Sequence, residues 1–378
     1  MFFLLQHAPT PKSSRTPRYI TAEATSVLMG NLNSALHPPW FSKEEREAVK
    51  RKRNDQGDHE CEVFGRGPEA AESAFAWENC TKNCGHLQFI PAPEFCLDHL
   101  PEWCTLPTVV DYVKTIAALT VRLRVTYTSW GRPDGYSFSN HRGSDIPHSG
   151  SGWVRNVYPC NGACPCVECV ESSSPRQKWY EVHLETACHV VFDTQEARAT
   201  KVDFFYDDEK AKIEKKVQTI QAIKTHTTDE KGDTCTIVCA THNENLASKL
   251  MQYLKETEKI KFFGPPQVWS LPEWQRMCII VSHPHGQPKQ VTVGKVCDPR
   301  IEGDRRYLTY ITDTCPGSSG APVLVLKFDE IGLCKYSASY PSLLPPHSQW
   351  LQLRGVNQSS ATSTAYPETY YPLKQRNK

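Results

Sequence analysis

A stretch of glycine, serine and proline, Asp313–Pro322, constrains this sequence more than any other. It lies between the apolar runs Tyr307–Ile311 and Val323–Leu326, so the pattern predicts a tight loop joining two strands. Glycine at 317 permits backbone torsions that a side chain forbids. The backbone N–H groups of Gly317 and Ser319 can then point at one spot and stabilise an oxyanion. Taken alone, the same composition also fits an ordinary surface loop.

Two upstream stretches supply an imidazole and a carboxylate. His189 follows small residues within the apolar stretch Leu184–Phe192, and Asp233 opens the apolar run Thr234–Cys239. Each has a plainer interpretation, a satisfied core histidine and an acidic turn residue. Asp229 is the competing acid, but it lies in a run of Thr, Glu and Lys. The order His, Asp, Ser along the chain is that of one catalytic-triad architecture.

At these motifs the chain resembles the trypsin-like serine proteases of the chymotrypsin fold. Thr186–His189 is similar to the family's Thr-Ala-Ala-His strand, and the resemblance covers about residues 148–358. Two weaker matches, Gly150–Trp153 and Val281–Gly286, point to the intracellular branch that includes the high-temperature-requirement proteases. The serine loop falls on the family's pattern at Asp313, Cys315, Gly317, Ser319, Gly320 and Pro322.

The resemblance implies a serine endopeptidase acting on protein or peptide substrates without a cofactor. Ser319 would be the nucleophile, His189 the general base and Asp233 the residue that orients it, while Gly317 and Ser319 would form the oxyanion hole. Asp313 falls at the floor of the primary specificity pocket, which implies cleavage after Lys or Arg.

One position departs from the secreted relatives. Ser318 stands where those enzymes carry the acid that pairs with a new N-terminus after activation cleavage. The departure argues against activation through such a salt bridge.

The fold that follows is mainly β, with two antiparallel Greek-key β-barrels of the chymotrypsin type and a partly disordered, partly helical N-terminal extension. A length of 378 residues exceeds one barrel pair. We predict a mostly disordered leader with a short basic helix (1–55), a cysteine-containing extension (56–118), a protease domain (119–358) with a linker helix near 246–260, and a flexible tail (359–378).

Charge and hydropathy limit the partners. Basic and acidic residues number 43 and 42, so no nucleic-acid surface is indicated. The apolar run at residues 1–5 is short for a secretory signal, and no window predicts a membrane span. We therefore expect an intracellular protein. The basic run Lys50–Arg53 can be a nuclear signal, but the solvated end of a helix over 43–53, capped by Ser42 and Glu45, is favoured. The sequence indicates no oligomeric state.

Sixteen cysteines raise the question of metal. Cys160, Cys164, Cys166 and Cys169 lie close enough to hold zinc, but only the last pair has the usual knuckle spacing, so a hairpin with reduced thiols is favoured. His283 and His285 lie in a Pro/Gly turn and are expected to be exposed, with no further ligands nearby. We therefore predict no metal site. No chemistry is assigned to the cysteines of the extension, Cys61, Cys80, Cys84, Cys96 and Cys104. Small buried hydrophobes are the default for the cysteines in apolar strands or beside the motif, Cys188, Cys235, Cys239, Cys278 and Cys315.

Two other functions remain open at this point. One is a catalytically inactive protease fold that serves as an interaction module. The other is a zinc-dependent scaffold built on Cys160–Cys169.

Overall fold

The computed structural model describes residues 41–259, 277–297, 300–302, 305–307, 309–328, 334–336, 357–358 and 362–363. The predicted disorder before residue 41 and most of the predicted tail lie outside these ranges. Within them, no helix is both long and apolar enough to cross a bilayer.

The α-helices of the described residues are α1 (Lys43–Asp55), α2 (Glu69–Glu78), α3 (Pro107–Leu119), α4 (Val167–Val170), α5 (Thr194–Arg198), α6 (Glu209–Ile213) and α7 (Glu244–Lys259). The strands are β1 (Glu62–Val63), β2 (Ile90–Pro91), β3 (Thr120–Val125), β4 (His148–Asn161), β5 (Lys178–Thr186), β6 (Thr200–Phe204), β7 (Gln218–Asp229), β8 (Thr234–Thr241), β9 (Met277–Ser282), β10 (Gln290–Val296), β11 (Arg300–Glu302), β12 (Arg305–Tyr307), β13 (Thr309–Ile311), β14 (Val323–Phe328), β15 (Cys334–Tyr336), β16 (Asn357–Gln358) and β17 (Thr362–Ser363).

The first sheet closes into a six-stranded antiparallel barrel. Its order is β4-β3-β6-β7-β8-β5, and β5 pairs with β4 to complete the ring, while β1 adds to the outer edge of β4. Strands β3, β4 and β5 form one antiparallel meander, and β6, β7 and β8 form a second. The two meanders join on both sides, because β6 pairs with β3 and β8 pairs with β5. Val121, Leu123 and Val125 alternate into the barrel core, as their spacing predicts.

The second sheet has the order β15-β14-β9-β10-β13-β16, and β2 of the extension pairs with β10. Helix α3 packs on it, since Val109, Val113 and Ile116 share one core with Ile279 and Val281. The mainly β fold is confirmed, with a closed first barrel and a second sheet, and a small third sheet has the order β11-β12-β17. The extension supplies part of the second sheet's core.

Helix α1 begins at the predicted capping residues, but its basic C-terminal end is not fully solvated. Ser42 and Glu45 cap each other's backbone N–H groups at 3.0 and 3.1 Å. The predicted solvated basic end is wrong for Lys52, which is fully buried and whose Nζ donates to Thr128 Oγ1 at 2.8 Å and lies 3.2 Å from His148 Nδ1. Burial lowers the pKa of Lys52 to about 7.

Candidate active site

An imidazole and a carboxylate meet at the mouth of the first barrel. His189 lies in the turn after β5, and Asp233 lies just before β8 with a left-handed φ of 53°. His189 Nδ1 is 2.7 Å from Asp233 Oδ2, and the His189 backbone N–H donates to Asp233 Oδ1 at 2.9 Å. The two contacts fix the ring with Nδ1 toward the acid and leave Nε2 for another partner. The competing Asp229 is exposed on β7 and accepts a hydrogen bond from the Gly232 N–H.

The carboxylate of Asp233 is held in its charged form. Burial by itself would raise its pKa, but the charge of His189, its hydrogen bonds and the charge of His59 outweigh burial and keep the pKa below its ordinary value. A buried acid that stays ionised can orient an imidazole and stabilise its cation.

The serine loop is held by β4. Ser151 donates twice to it, through its Oγ to the Gly317 carbonyl at 2.9 Å and through its N–H to the Ser319 carbonyl at 2.7 Å. Gly317 and Gly320 have φ values of 95° and 88°, which a side chain would disfavour. Ser318, at the departure from the secreted pattern, lies 3.1 Å from Ser282 Oγ. The loop therefore has its shape without an acid at 318.

Ser319 and His189 are not hydrogen-bonded to each other. Both side chains are fully buried, and Ser319 Oγ and His189 Nε2 are without a hydrogen-bond partner. Ser319 nevertheless lies near the residue that follows His189, because a Cβ added to Gly150 would be 2.6 Å from Val190 Cγ1 and 3.0 Å from the Ser319 carbonyl oxygen. The structure thus brings His189 to Asp233 and places Ser319 nearby, short of a completed triad.

A short loop of the extension covers this site. We name residues 57–60 the cleft segment. The Gly317 N–H donates to the carbonyl of Glu60 at 2.8 Å. The His59 ring stacks on His189 with centroids 4.1 Å apart, and its Nε2 is 3.8 Å from Asp233 Oδ2. The Glu60 carbonyl therefore accepts a hydrogen bond from one of the two N–H groups that are predicted to form the oxyanion hole.

The side chain of Glu60 is held beside the serine loop. Lys82 Nζ contacts both of its carboxylate oxygens at 2.6 and 2.7 Å and also bonds Thr314 Oγ1 at 3.2 Å. Burial raises the pKa of Glu60 to about 7, although Lys82 lowers it. Asp313, the predicted pocket floor, is half-buried next to Thr314.

Sequence reasoning missed His59, Glu60 and Lys82. They belong to no motif and lie more than a hundred residues before His189, so only the fold brings them to the site.

Two expectations are wrong: that the turn with His283 and His285 is exposed, and that it has no further metal ligands nearby. His283 and His285 are buried, and the ligand atoms of His285, Cys80, His86 and Cys315 lie within 4.8 Å of one another. The turn was predicted to be exposed because Pro and Gly are common at surfaces, but here α2 and the serine loop pack over it.

The cysteine hairpin also differs from its prediction. Cys164, Cys166 and Cys169 form a cluster with His242, and Cys160 is not a member. Among the described cysteines none forms a disulfide.

No family model and no curated protein matches the sequence. Solved structures with a similar fold include two of the HtrA-type protease AlgW, one with a decapeptide and one with a tripeptide, both 14% identical, with TM-scores of 0.34 and 0.35. These alignments cover 67% and 68% of this chain and 62% and 60% of the AlgW chains. The chain thus spans less than two thirds of their length.

Two further structures are similar. An inactive form of Rv3671c from M. tuberculosis is 13% identical, with a TM-score of 0.35 over 68% of this chain and 88% of that one. The tobacco vein mottling virus protease is 11% identical, with a TM-score of 0.32 over 68% and 82% of the two chains.

Proposed function

We propose that the chain is a serine endopeptidase in which Ser319 Oγ attacks the carbonyl carbon of a peptide bond. His189 Nε2 takes the hydroxyl proton, and Asp233 orients the imidazole and stabilises its cation. The C–N bond then breaks as His189 returns the proton to the leaving amine. A water molecule, deprotonated by the same imidazole, hydrolyses the acyl-enzyme and regenerates Ser319. The Gly317 and Ser319 amides stabilise the oxyanion in both steps.

The observation that best supports this proposal is the hydrogen bond from the Gly317 N–H to the Glu60 carbonyl. It is the contact that a substrate carbonyl would make, and it lies beside an imidazole already oriented by Asp233. We infer that the described arrangement is self-blocked. Substrate binds when the cleft segment moves, which also removes the His59 ring that stacks on His189 and lets the imidazole approach Ser319.

Cleavage after Lys or Arg, through Asp313, remains our prediction for specificity. Profiling with a peptide library tests it. Cleavage confined to large apolar residues would exclude a role for that carboxylate.

A second function is favoured by a specific observation. Ser319 Oγ and His189 Nε2 are not hydrogen-bonded, and the Gly317 amide is already in use. If this state is permanent, the chain is a protease fold that acts as an interaction module.

A fluorophosphonate label separates the two functions. We expect slow labelling of the native wild type at Ser319, located by peptide mass spectrometry, and none in Ser319→Ala or in heat-denatured protein. His59→Ala removes the ring that covers His189, so it should label faster, whereas His226→Ala, at an exposed position on β7, should match the wild type. No label in either the wild type or His59→Ala would exclude the endopeptidase and support the module.

A further inference from the structure

In the part of the chain that the structure describes, two cysteine–histidine clusters lie outside the proposed catalytic residues. The first consists of Cys80, His86, His285 and Cys315, which come from the extension, the turn after β9 and the serine loop. Cys80 Sγ is 3.6 Å from Cys315 Sγ, and Cys315 Sγ is 3.5 Å from His86 Nε2. A tetrahedral zinc with Zn–S bonds of about 2.3 Å and Zn–N bonds of about 2.0 Å separates two sulfurs by about 3.8 Å and sulfur from nitrogen by about 3.5 Å. The observed spacings match these values.

The surroundings of His285 point the same way. Its Nδ1 is 2.7 Å from Glu62 Oε2, while its Nε2 is buried and has no hydrogen-bond partner. A carboxylate on one ring nitrogen is the usual support for a histidine whose other nitrogen binds metal. His86 is held by Trp77, whose ring stacks on it with centroids 3.6 Å apart. The imidazoles are thus fixed in orientation before any ion binds.

We propose that Cys80, His86, His285 and Cys315 bind one Zn²⁺ in a closed, structural site. The thiols lose their protons to solvent on binding, and the four side chains fill a tetrahedral shell with no position left for water or substrate. Cys315 is four residues before Ser319, so the ion ties the extension to the serine loop. Asn83 reinforces the tie, because its Nδ2 donates to the Thr314 carbonyl at 2.8 Å.

An independent cluster supports a second zinc ion. Cys166 Sγ and Cys169 Sγ lie 3.6 and 3.7 Å from His242 Nδ1, and Cys164 completes the group. The Arg176 N–H donates to Cys169 Sγ at 3.5 Å, which favours the thiolate form. Sulfur–nitrogen spacings near 3.6 Å fit a three-cysteine, one-histidine zinc site.

This second site has a structural role in the first barrel. The three cysteines belong to the connection between β4 and β5, and His242 follows β8 directly. An ion there fastens the tip of the hairpin to the neighbouring strand. Neither site depends on the proposed peptidase activity, and neither is tested by it.

Zinc content of the full chain, purified without a metal-affinity step, tests both sites. We expect two equivalents in the wild type and one in Cys80→Ser or Cys169→Ser. Matched controls are Cys84→Ser, at an exposed thiol in the same stretch as Cys80, and Cys160→Ser, in the same hairpin as Cys169; both should keep two.

Cobalt substitution of the wild type provides a measurement that does not depend on folding of the variants. Two tetrahedral Co²⁺ equivalents with thiolate charge-transfer bands are expected, and their absence would overturn the proposal. A wild type with less than half an equivalent of zinc would do the same. The first site alone would be refuted by a Cys80–Cys315 disulfide in the native protein or by equal zinc loss from Cys84→Ser. The second would be refuted by equal zinc loss from Cys160→Ser.

Discussion

The buried ion pair behind the imidazole gives the sharpest stability prediction. Arg132 and Glu196 are both fully buried, and Arg132 donates to the two Glu196 oxygens at 2.6 and 2.7 Å. Glu196 also accepts the Ser129 and Phe192 N–H groups, each at 2.9 Å. Arg132 Nη2 donates in addition to the His189 carbonyl at 3.0 Å. The pair therefore connects a loop after β3 to the turn that carries the imidazole.

Glu196→Gln keeps the shape of the side chain but removes its charge and turns one acceptor into a donor. Removing one partner of a buried pair costs ~3–5 kcal/mol, because the other charge stays buried without compensation. In a domain of 150–250 residues about 1 kcal/mol lowers Tm by ~2–4 °C, so Tm should fall by roughly 6–20 °C. The double variant Arg132→Met/Glu196→Leu buries no charge and should be less destabilised than the sum of the two single changes.

Thermal and urea unfolding of the wild type, Glu196→Gln, Arg132→Met, Glu196→Leu and the double variant measures these differences. The exposed pair Arg66–Asp145, with side chains 65% and 67% exposed, provides the control, and Asp145→Asn should leave Tm unchanged. The reasoning is refuted if Glu196→Gln unfolds within about 1 kcal/mol of the wild type, or if the double variant is additive.

Three further outcomes are expected. Gly320→Ala should lower the free energy of unfolding by roughly 2–5 kcal/mol, because its φ is 88° and a Cβ there would lie 2.1 Å from the Ser151 carbonyl oxygen. The control Gly135→Ala has a φ of 77° but open space around the new Cβ, so it should cost only the backbone strain. Equal free energies of unfolding for the two variants would contradict this reasoning. Asp233→Asn should slow fluorophosphonate labelling by about 10³–10⁴-fold through the wrong imidazole tautomer, and an unchanged rate would remove the acid from the mechanism. Burial lowers the pKa of His59 from 6.5 to about 4, so between these pH values the unfolded state binds more protons than the folded state. The free energy of unfolding should therefore decrease as the pH is lowered from 6.5 to 4. His59→Phe should show a shallower fall, and parallel curves would rule out this histidine as a source.

The parts of the structure that the sequence predicts are those with local signals. Alternation of Val121, Leu123 and Val125 against two arginines predicts β3, and the Ser42–Glu45 box predicts where α1 begins. The order of the motifs and a resemblance also predict that His189 and Asp233 belong to one site, and His189 Nδ1 lies 2.7 Å from Asp233 Oδ2.

What the sequence did not predict depends on contacts between distant segments. Lys52 looks solvated in a basic run, yet Thr128 and His148 provide buried partners for its Nζ. Cys80 and Cys315 belong to one ligand cluster, although they are 235 positions apart in the sequence. No spacing rule detects such a site, because the usual zinc patterns rely on ligands close together in the chain.

The way the cleft segment is attached limits how the site can open. The Gln56 side chain accepts from the Cys61 N–H at 2.8 Å and donates to the Cys61 carbonyl at 3.2 Å, which closes the loop over residues 57–60. Beyond it, β1 pairs with β4, and the Phe64 N–H donates to the Pro147 carbonyl at 3.0 Å.

Larger parts of the extension are fixed as well. Strand β2 and helix α3 belong to the second sheet and its core, so detaching the whole extension would expose that core to water. Opening by local displacement breaks much less: the Gly317–Glu60 hydrogen bond, the His59 stack and the Lys82 ion pair. For the proposed peptidase, peptide access to Ser319 is therefore controlled by a four-residue loop on a fixed frame, and the rest of the extension has to be retained because it completes the core of the second sheet.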